Sequence, residues 1–319
     1  MDSNGILSAR TSINCYITKT PLIYSKFFSE MSDASVYLKL ENLQVTNSFK
    51  IRGTINKMLH LNEQEKKRGI VTASAGNHAQ AVAIGAEKLN LRVKIVVPTT
   101  TPAIKLDKIR THGVEPIIHG EIYDEAEKYA ITLAKQEGLT YISPYNDRYV
   151  IEGHGTIGLE VLEDLPNVTT ILVPVGGGGL ISGIALAVKN SRPEVRIIGV
   201  QSEASPVMYE SLKAGRLVDA PLQESVADGL YGGVESGSMT FEMIRNYVDA
   251  LWLVKEKTIR RAISLLWKEE RQIVEGSGAV PIAALLENTK VLAGNTVIII
   301  TGGNIDEQRF QEIISQEGG

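Results

Sequence analysis

Several things are scarce in this chain, and each scarcity excludes something. One cysteine, Cys15, stands among 319 residues, so an internal disulfide framework and any multi-cysteine metal site are excluded. A lone thiol of this kind reads as a buried or inert side chain. Basic residues number 33 against 37 acidic ones, and no Lys/Arg-rich run occurs. The net charge of −4 gives no electrostatic footprint for nucleic acid. No apolar stretch approaches the roughly 20 residues of a membrane span, and the N-terminus has no long apolar core. A cytoplasmic protein with neither a membrane nor a nucleic-acid partner is expected. The histidines (His60, His78, His112, His119, His154) lack the spacing of an HExxH metal pair, and no metal site is expected. There is no GxSxG turn, and the glycine run at 176–179 is neither a GxGxxG fingerprint nor followed by the Gly-Lys-Ser/Thr ending of a nucleotide P-loop.

What is present is an ordinary globular composition, 43% hydrophobic and 22% charged, in a length that suggests about two domains. Apolar β-branched runs alternate with helical patterns. Strands are predicted at 69–73, 93–98, 114–118, 140–142, 170–175, 196–201 and 296–301. Helices are predicted at 77–89, 102–111, 122–137, 180–189, 205–214, 241–246 and 258–275. This alternation predicts an α/β fold with mostly parallel sheets, whose ligands bind at the carboxyl ends of the strands. No low-complexity linker separates the halves, so two lobes sharing a cleft are expected.

Four segments carry chemistry. In Asn47-Ser48-Phe49-Lys50-Ile51-Arg52-Gly53, Lys50 lies between apolar neighbours where a loop enters a helix. A desolvated lysine has a depressed pKa and forms Schiff bases. Gly176-Gly177-Gly178-Gly179 joins a strand to a helix, where free N–H groups and the helix dipole form a phosphate cup. Ser74-Ala75-Gly76-Asn77-His78 joins another strand to a helix. Ser74 and Asn77 are good helix caps, and the same turn can bind a carboxylate. Thr301-Gly302-Gly303-Asn304 ends a buried strand, where a hydroxyl can face a cofactor heteroatom. Glu275 reads as the last-turn acid of the preceding helix. Its clash with the helix dipole there sets it among the cofactor-binding candidates.

In that order and spacing, these segments resemble the pyridoxal-phosphate enzymes of fold type II, the tryptophan-synthase-β-like group. The resemblance is strongest to the threonine/serine dehydratases and their relative serine racemase, and it runs from about Thr20 to Asn304. It implies two open, mostly parallel twisted sheets flanked by helices. It also implies a large cofactor-binding domain of residues 1–67 and 146–319 and a small mobile domain of residues 68–145. The cofactor implied is pyridoxal 5'-phosphate. Lys50 is the implied catalytic residue and forms the Schiff base with it. Phe49 packs on the ring, Asn77 bonds the phenolic oxygen, Gly176 to Gly179 hold the phosphate, and Thr301 bonds the ring nitrogen. Ser74, Ala75, Gly76, Asn77 and His78 receive the substrate carboxylate. A homodimer or homotetramer acting on a small amino acid is implied.

Departures from serine racemase narrow the activity. Its opposite-face base, a second serine, is replaced by Ala75. The two carboxylates of its divalent-metal site align with Gln201 and Val207, and Glu203 alone is poor support for such an ion. With 15 residues after Asn304, no appended regulatory domain is expected there. Asp228-Gly229-Leu230 through Gly237-Ser238 is similar to dehydratase-like ammonia-lyases, including those of hydroxyectoine catabolism. The expected reaction is β-elimination from L-threonine or L-serine. The alternatives are a 3-hydroxyaspartate ammonia-lyase or a related catabolic β-eliminase of hydroxyectoine degradation, then a serine racemase, a non-catalytic amino-acid sensor, and a nucleotide-binding protein that would leave Lys50 unexplained.

Overall fold

The computed structural model describes residues 3–317. Its ten strands are β1 (Leu22–Tyr24), β2 (Ala34–Leu40), β3 (Ile70–Ala73), β4 (Val93–Val97), β5 (Ile117–Ile118), β6 (Thr140–Tyr141), β7 (Thr170–Pro174), β8 (Arg196–Ser202), β9 (Ala250–Val254) and β10 (Gly294–Ile300). They form a six-stranded sheet, ordered β1-β2-β10-β7-β8-β9, and a four-stranded sheet, ordered β5-β4-β3-β6. Every pairing is parallel except β1 with β2. The central strands β7, β8 and β10 read as near-continuous apolar runs because helices cover both of their faces. Among the described residues no helix is long and apolar enough to cross a membrane.

Strand–helix periodicity located most of the central elements to within a residue or two, but Val114–Ile118 shortens to Ile117–Ile118. Pro116 has no N–H to give a ladder. The helix expected over 258–275 runs instead from Glu256 to Glu270 and stops at Arg271, which adopts φ 57°. Glu275 is therefore not a last-turn acid. It is the N-cap of the next helix, Gly276–Glu287, where the dipole favours a negative charge.

Two long helices escaped the sequence reading. Gly276–Glu287 opens on Gly-Ser-Gly and contains Pro281, all poor helix formers. Arg148–Asp164 contains Gly153, Gly155 and Gly158. A Cβ on Gly153 would lie 2.5 Å from the Arg52 carbonyl oxygen, and one on Gly155 would lie 2.8 Å from that of Gly183. Gly153 thus lets this helix pack tightly against the lysine-bearing helix, while Gly155 and Gly158 let it pack against the helix Gly179–Ser191.

Candidate active site

Lys50 opens the helix Lys50–Leu59, and the loop before it is sewn to the exit of β10. Phe49 N–H donates to Thr301 O at 3.1 Å, Gly303 N–H donates to Asn47 O at 2.9 Å, and Ser48 bridges Gly302. Asn47 makes the turn with φ 51°. Behind the lysine, Arg52 is fully buried and donates to Glu41 on one side and to Glu160 on the other. Lys39, also fully buried, joins Glu160 at 2.6 Å. Burial opposes charge on Arg52, but Glu41 and Glu160 outweigh it and hold its pKa above the ordinary range.

The Lys50 amine points toward the four-stranded sheet. Nζ donates to Pro144 O at 2.8 Å and lies 5.1 Å from the Phe49 ring centroid. Burial pushes its pKa down to about 8, with the Glu275 carboxyl pulling the other way. A substantial fraction is thus the free, nucleophilic base near neutral pH. His154 packs edge-on against Phe49, with ring centroids 4.7 Å apart. Burial first, and Lys50 second, keep that imidazole neutral.

Ser74 to His78 lie at the carboxyl end of β3, facing the lysine across the cleft. The helix Asn77–Lys88 starts where expected, but Gly76 is its N-cap in place of Ser74 or Asn77. A Cβ at Gly76 would meet nothing within 4 Å, so the space beside the turn is open, and Ser74 Oγ accepts from Gly76 N–H at 3.2 Å. Asn77 Nδ2 donates to Glu275 Oε1 at 2.6 Å, and its Oδ1 accepts from Asn304 Nδ2 at 2.7 Å. Asn304 also donates to Thr46 O, so one amide chain ties the 74–78 turn to Glu275 on one side and to Thr46 on the other. Burial, then Asp228, pushes the Glu275 carboxyl up to about 8 despite the Asn77 hydrogen bond. The His78 imidazole turns away from this turn and donates Nε2–H to Ile142 O at 3.0 Å. Burial and the nearby Lys50 hold it neutral, with a pKa down at about 3.

Gly176 to Gly179 follow β7 and lead into the helix Gly179–Ser191. Side chains do not fit here. A Cβ on Gly177 would lie 2.4 Å from the Tyr145 ring, and one on Gly179 would lie 2.7 Å from Tyr145 O. Gly178 adopts φ 88°, which favours glycine. Among the described residues, the N–H groups of these four glycines have no hydrogen-bond acceptor. Four free donors at a helix N-terminus, in a cradle that any Cβ would fill, suit a phosphate group. The buried lysine suits a carbonyl. The residues therefore fit pyridoxal phosphate.

Thr301 is buried at the end of β10, and its carbonyl holds Phe49. Gln201 Oε1 accepts from Tyr209 N–H at 2.8 Å. Pro144, Tyr145 and His154 belong to the site but were not singled out from sequence. The turn-forming run Ser143-Pro144-Tyr145-Asn146-Asp147 after β6 was the available signal for the first two.

A mostly parallel α/β fold with a buried lysine amine and a glycine turn of free N–H groups suits the class of carbonyl-cofactor enzymes. The chain belongs to the family of pyridoxal-phosphate dependent enzymes, which matches residues 13–302, and it has their type II fold. It is 44% identical over 311 residues to an L-threonine ammonia-lyase from Thermotoga maritima, a match covering 98% of this chain and 77% of that one. Among solved structures it is similar to maize serine racemase, with a TM-score of 0.93, 32% identity, and 99% and 97% of the two chains covered. It is also similar to the processed form of threonine deaminase isoform 2 from Solanum lycopersicum, with a TM-score of 0.91, 37% identity, and 100% and 95% covered.

Proposed function

We propose that this protein is an ammonia-lyase that converts L-threonine or L-serine into a 2-oxo acid and ammonia. The carrying observation is the buried Lys50 amine, which faces a substrate loop whose second residue, Ala75, has no proton to exchange. Pyridoxal phosphate, when bound, supplies the electron sink for the charge left at the substrate α-carbon. Gly176 to Gly179 bind its phosphate through their free N–H groups. Phe49 would pack on its ring, Asn77, its amide fixed by Glu275, would bond the ring oxygen, and Thr301 would offer a neutral hydroxyl to the ring nitrogen. Ser74 to His78 hold the substrate carboxylate, chiefly through backbone N–H groups and the Ser74 hydroxyl. Lys50 then takes the α-proton, and its depressed pKa makes the free base available. With one base on one face, elimination of the β-hydroxyl is favoured over inversion.

The same reading divides the chain into a large domain of residues 1–67 and 146–319 and a small mobile domain of residues 68–145. What supports it is the separate four-stranded sheet that carries the substrate loop. We place the protein in the cytoplasm, where an exposed free thiol such as Cys15 stays reduced.

The test is an absorbance spectrum followed by a product assay. The purified protein with cofactor is expected to show the visible band of a lysine-bound cofactor, and Lys50→Ala to lose it. L-threonine and L-serine are expected to yield 2-oxo acid and ammonia, and to be better substrates than 3-hydroxyaspartate. A colourless wild type, or faster turnover of 3-hydroxyaspartate, would overturn the reading.

A further inference from the structure

One ion pair crosses the cleft without entering the chemistry above. Lys105 stands on the helix Ala103–Arg110 beside the four-stranded sheet, and Asp228 begins the short turn Asp228–Leu230 on the other side. Their Nζ–Oδ2 distance is 3.0 Å, and the side chains are 40% and 48% exposed, which places them at a rim. The turn is tied to the site at two points. The backbone of Leu230 lies close enough to Gly176 to crowd a Cβ there at 3.1 Å, and Gly229 sits against Ser277. Glu275, inside the cleft, feels both partners: Asp228 pushes its carboxyl up and Lys105 pulls it down.

The other charges near the cleft are mostly negative. Tyr145 covers the glycine cradle; burial raises its phenol, the Glu235 N–H hydrogen bond lowers it, and the charges of Glu235, Glu127 and Asp124 each raise it. The charges acting on Glu275 are Asp228, Lys105 and Lys50. Lys50 is committed to chemistry, and Lys105 is already matched by Asp228. Among the described residues, a substrate bearing a second carboxylate on its β-carbon thus finds no unmatched cation among those acting on Glu275.

We infer that Asp228, by holding Lys105, makes the cleft selective for amino acids whose β-substituent is uncharged; the inference rests on the ammonia-lyase reading. A methyl or hydrogen passes the rim at no electrostatic cost, whereas a β-carboxylate finds Lys105 neutralised by Asp228 and is repelled by any ionised Glu275. Released from Asp228, Lys105 becomes a point charge on a flexible stem, able to follow a carboxylate into the cleft.

The test uses cofactor-loaded protein and two amino acids without a leaving group: L-2-aminobutyrate, with a β-methyl, and L-aspartate, with a β-carboxylate. Dissociation constants are measured by calorimetry for wild type, Asp228→Asn, Lys105→Met and the double variant. Asp228→Asn is expected to improve aspartate binding relative to aminobutyrate by about fivefold, the scale of one partly exposed charge pair. The double variant is expected to lose that gain, because the freed cation is gone. An equal shift for both amino acids, or a gain that survives in the double variant, would overturn the inference. Threonine turnover by the wild type is followed in parallel. Its absence counts against the ammonia-lyase reading, while the binding ratio decides the role of Asp228.

Discussion

At Lys50 two opposing influences meet. Removal from water favours the neutral amine, and the Glu275 carboxyl favours the charged one; burial wins and leaves the pKa at about 8. The neutral amine captures a carbonyl, and it is the form that accumulates as pH rises. Cofactor-free protein is therefore expected to bind pyridoxal phosphate faster as pH is raised from 7 to 9, with a midpoint near 8. A stopped-flow absorbance trace at each pH measures this, and a midpoint near the ordinary 10.5 would contradict the burial argument. The lysine itself was legible in the sequence from its apolar neighbours and the glycine-rich segments. Its partner Pro144 O was not, because a backbone carbonyl leaves no mark on residue type.

Among the elements, the helix Lys50–Leu59 is the one the chemistry depends on, and Arg52 is its anchor. The guanidinium joins Glu41, just after β2, to Glu160 on the helix Arg148–Asp164. Deleting one member of a buried ion network leaves its partners unpaired, a loss of about 3–5 kcal/mol. Arg52→Ala is expected to lower unfolding stability by about that much in urea titration. A loss below about 1 kcal/mol would mean that water replaces the guanidinium. Strands and flanking helices with clean periodicity could be read from sequence; the glycine-rich helix Arg148–Asp164 could not. Its glycines are explained by the neighbours they admit, and those neighbours come from distant parts of the chain. The misplacement of Glu275 has a similar origin. The left-handed turn at Arg271 ends one helix early, and no glycine marks it.

The molecule as a whole is built on two mostly parallel sheets, and the 74–78 turn follows a strand of the smaller one. That arrangement supports closure of residues 68–145 over Lys50. Leu43, Val45 and Ile273 are about half exposed, and Asn42 Nδ2 donates to Ile273 O, which brings these apolar side chains to one surface. Such a patch fits burial against a second copy. Small-angle X-ray scattering of the cofactor-loaded protein is expected to give a mass of two or four 34.7-kDa chains and a smaller radius of gyration with aminobutyrate present. A monomer mass would remove the self-association proposal, and an unchanged radius would remove closure. The sheet class was legible because apolar runs report burial on two faces. Assembly was not, since single exposed side chains say nothing until the fold gathers them.

The stitching of Asn47 to Phe49 onto Thr301 to Gly303 also constrains how the enzyme comes into being. The lysine is made early in synthesis, while the strand that fixes its loop is made late and must insert between β2 and β7. Closing so long a stretch of chain is slow and entropically costly. The reactive amine therefore remains unorganised until nearly the whole large sheet has formed, and a partly made chain holds no working site.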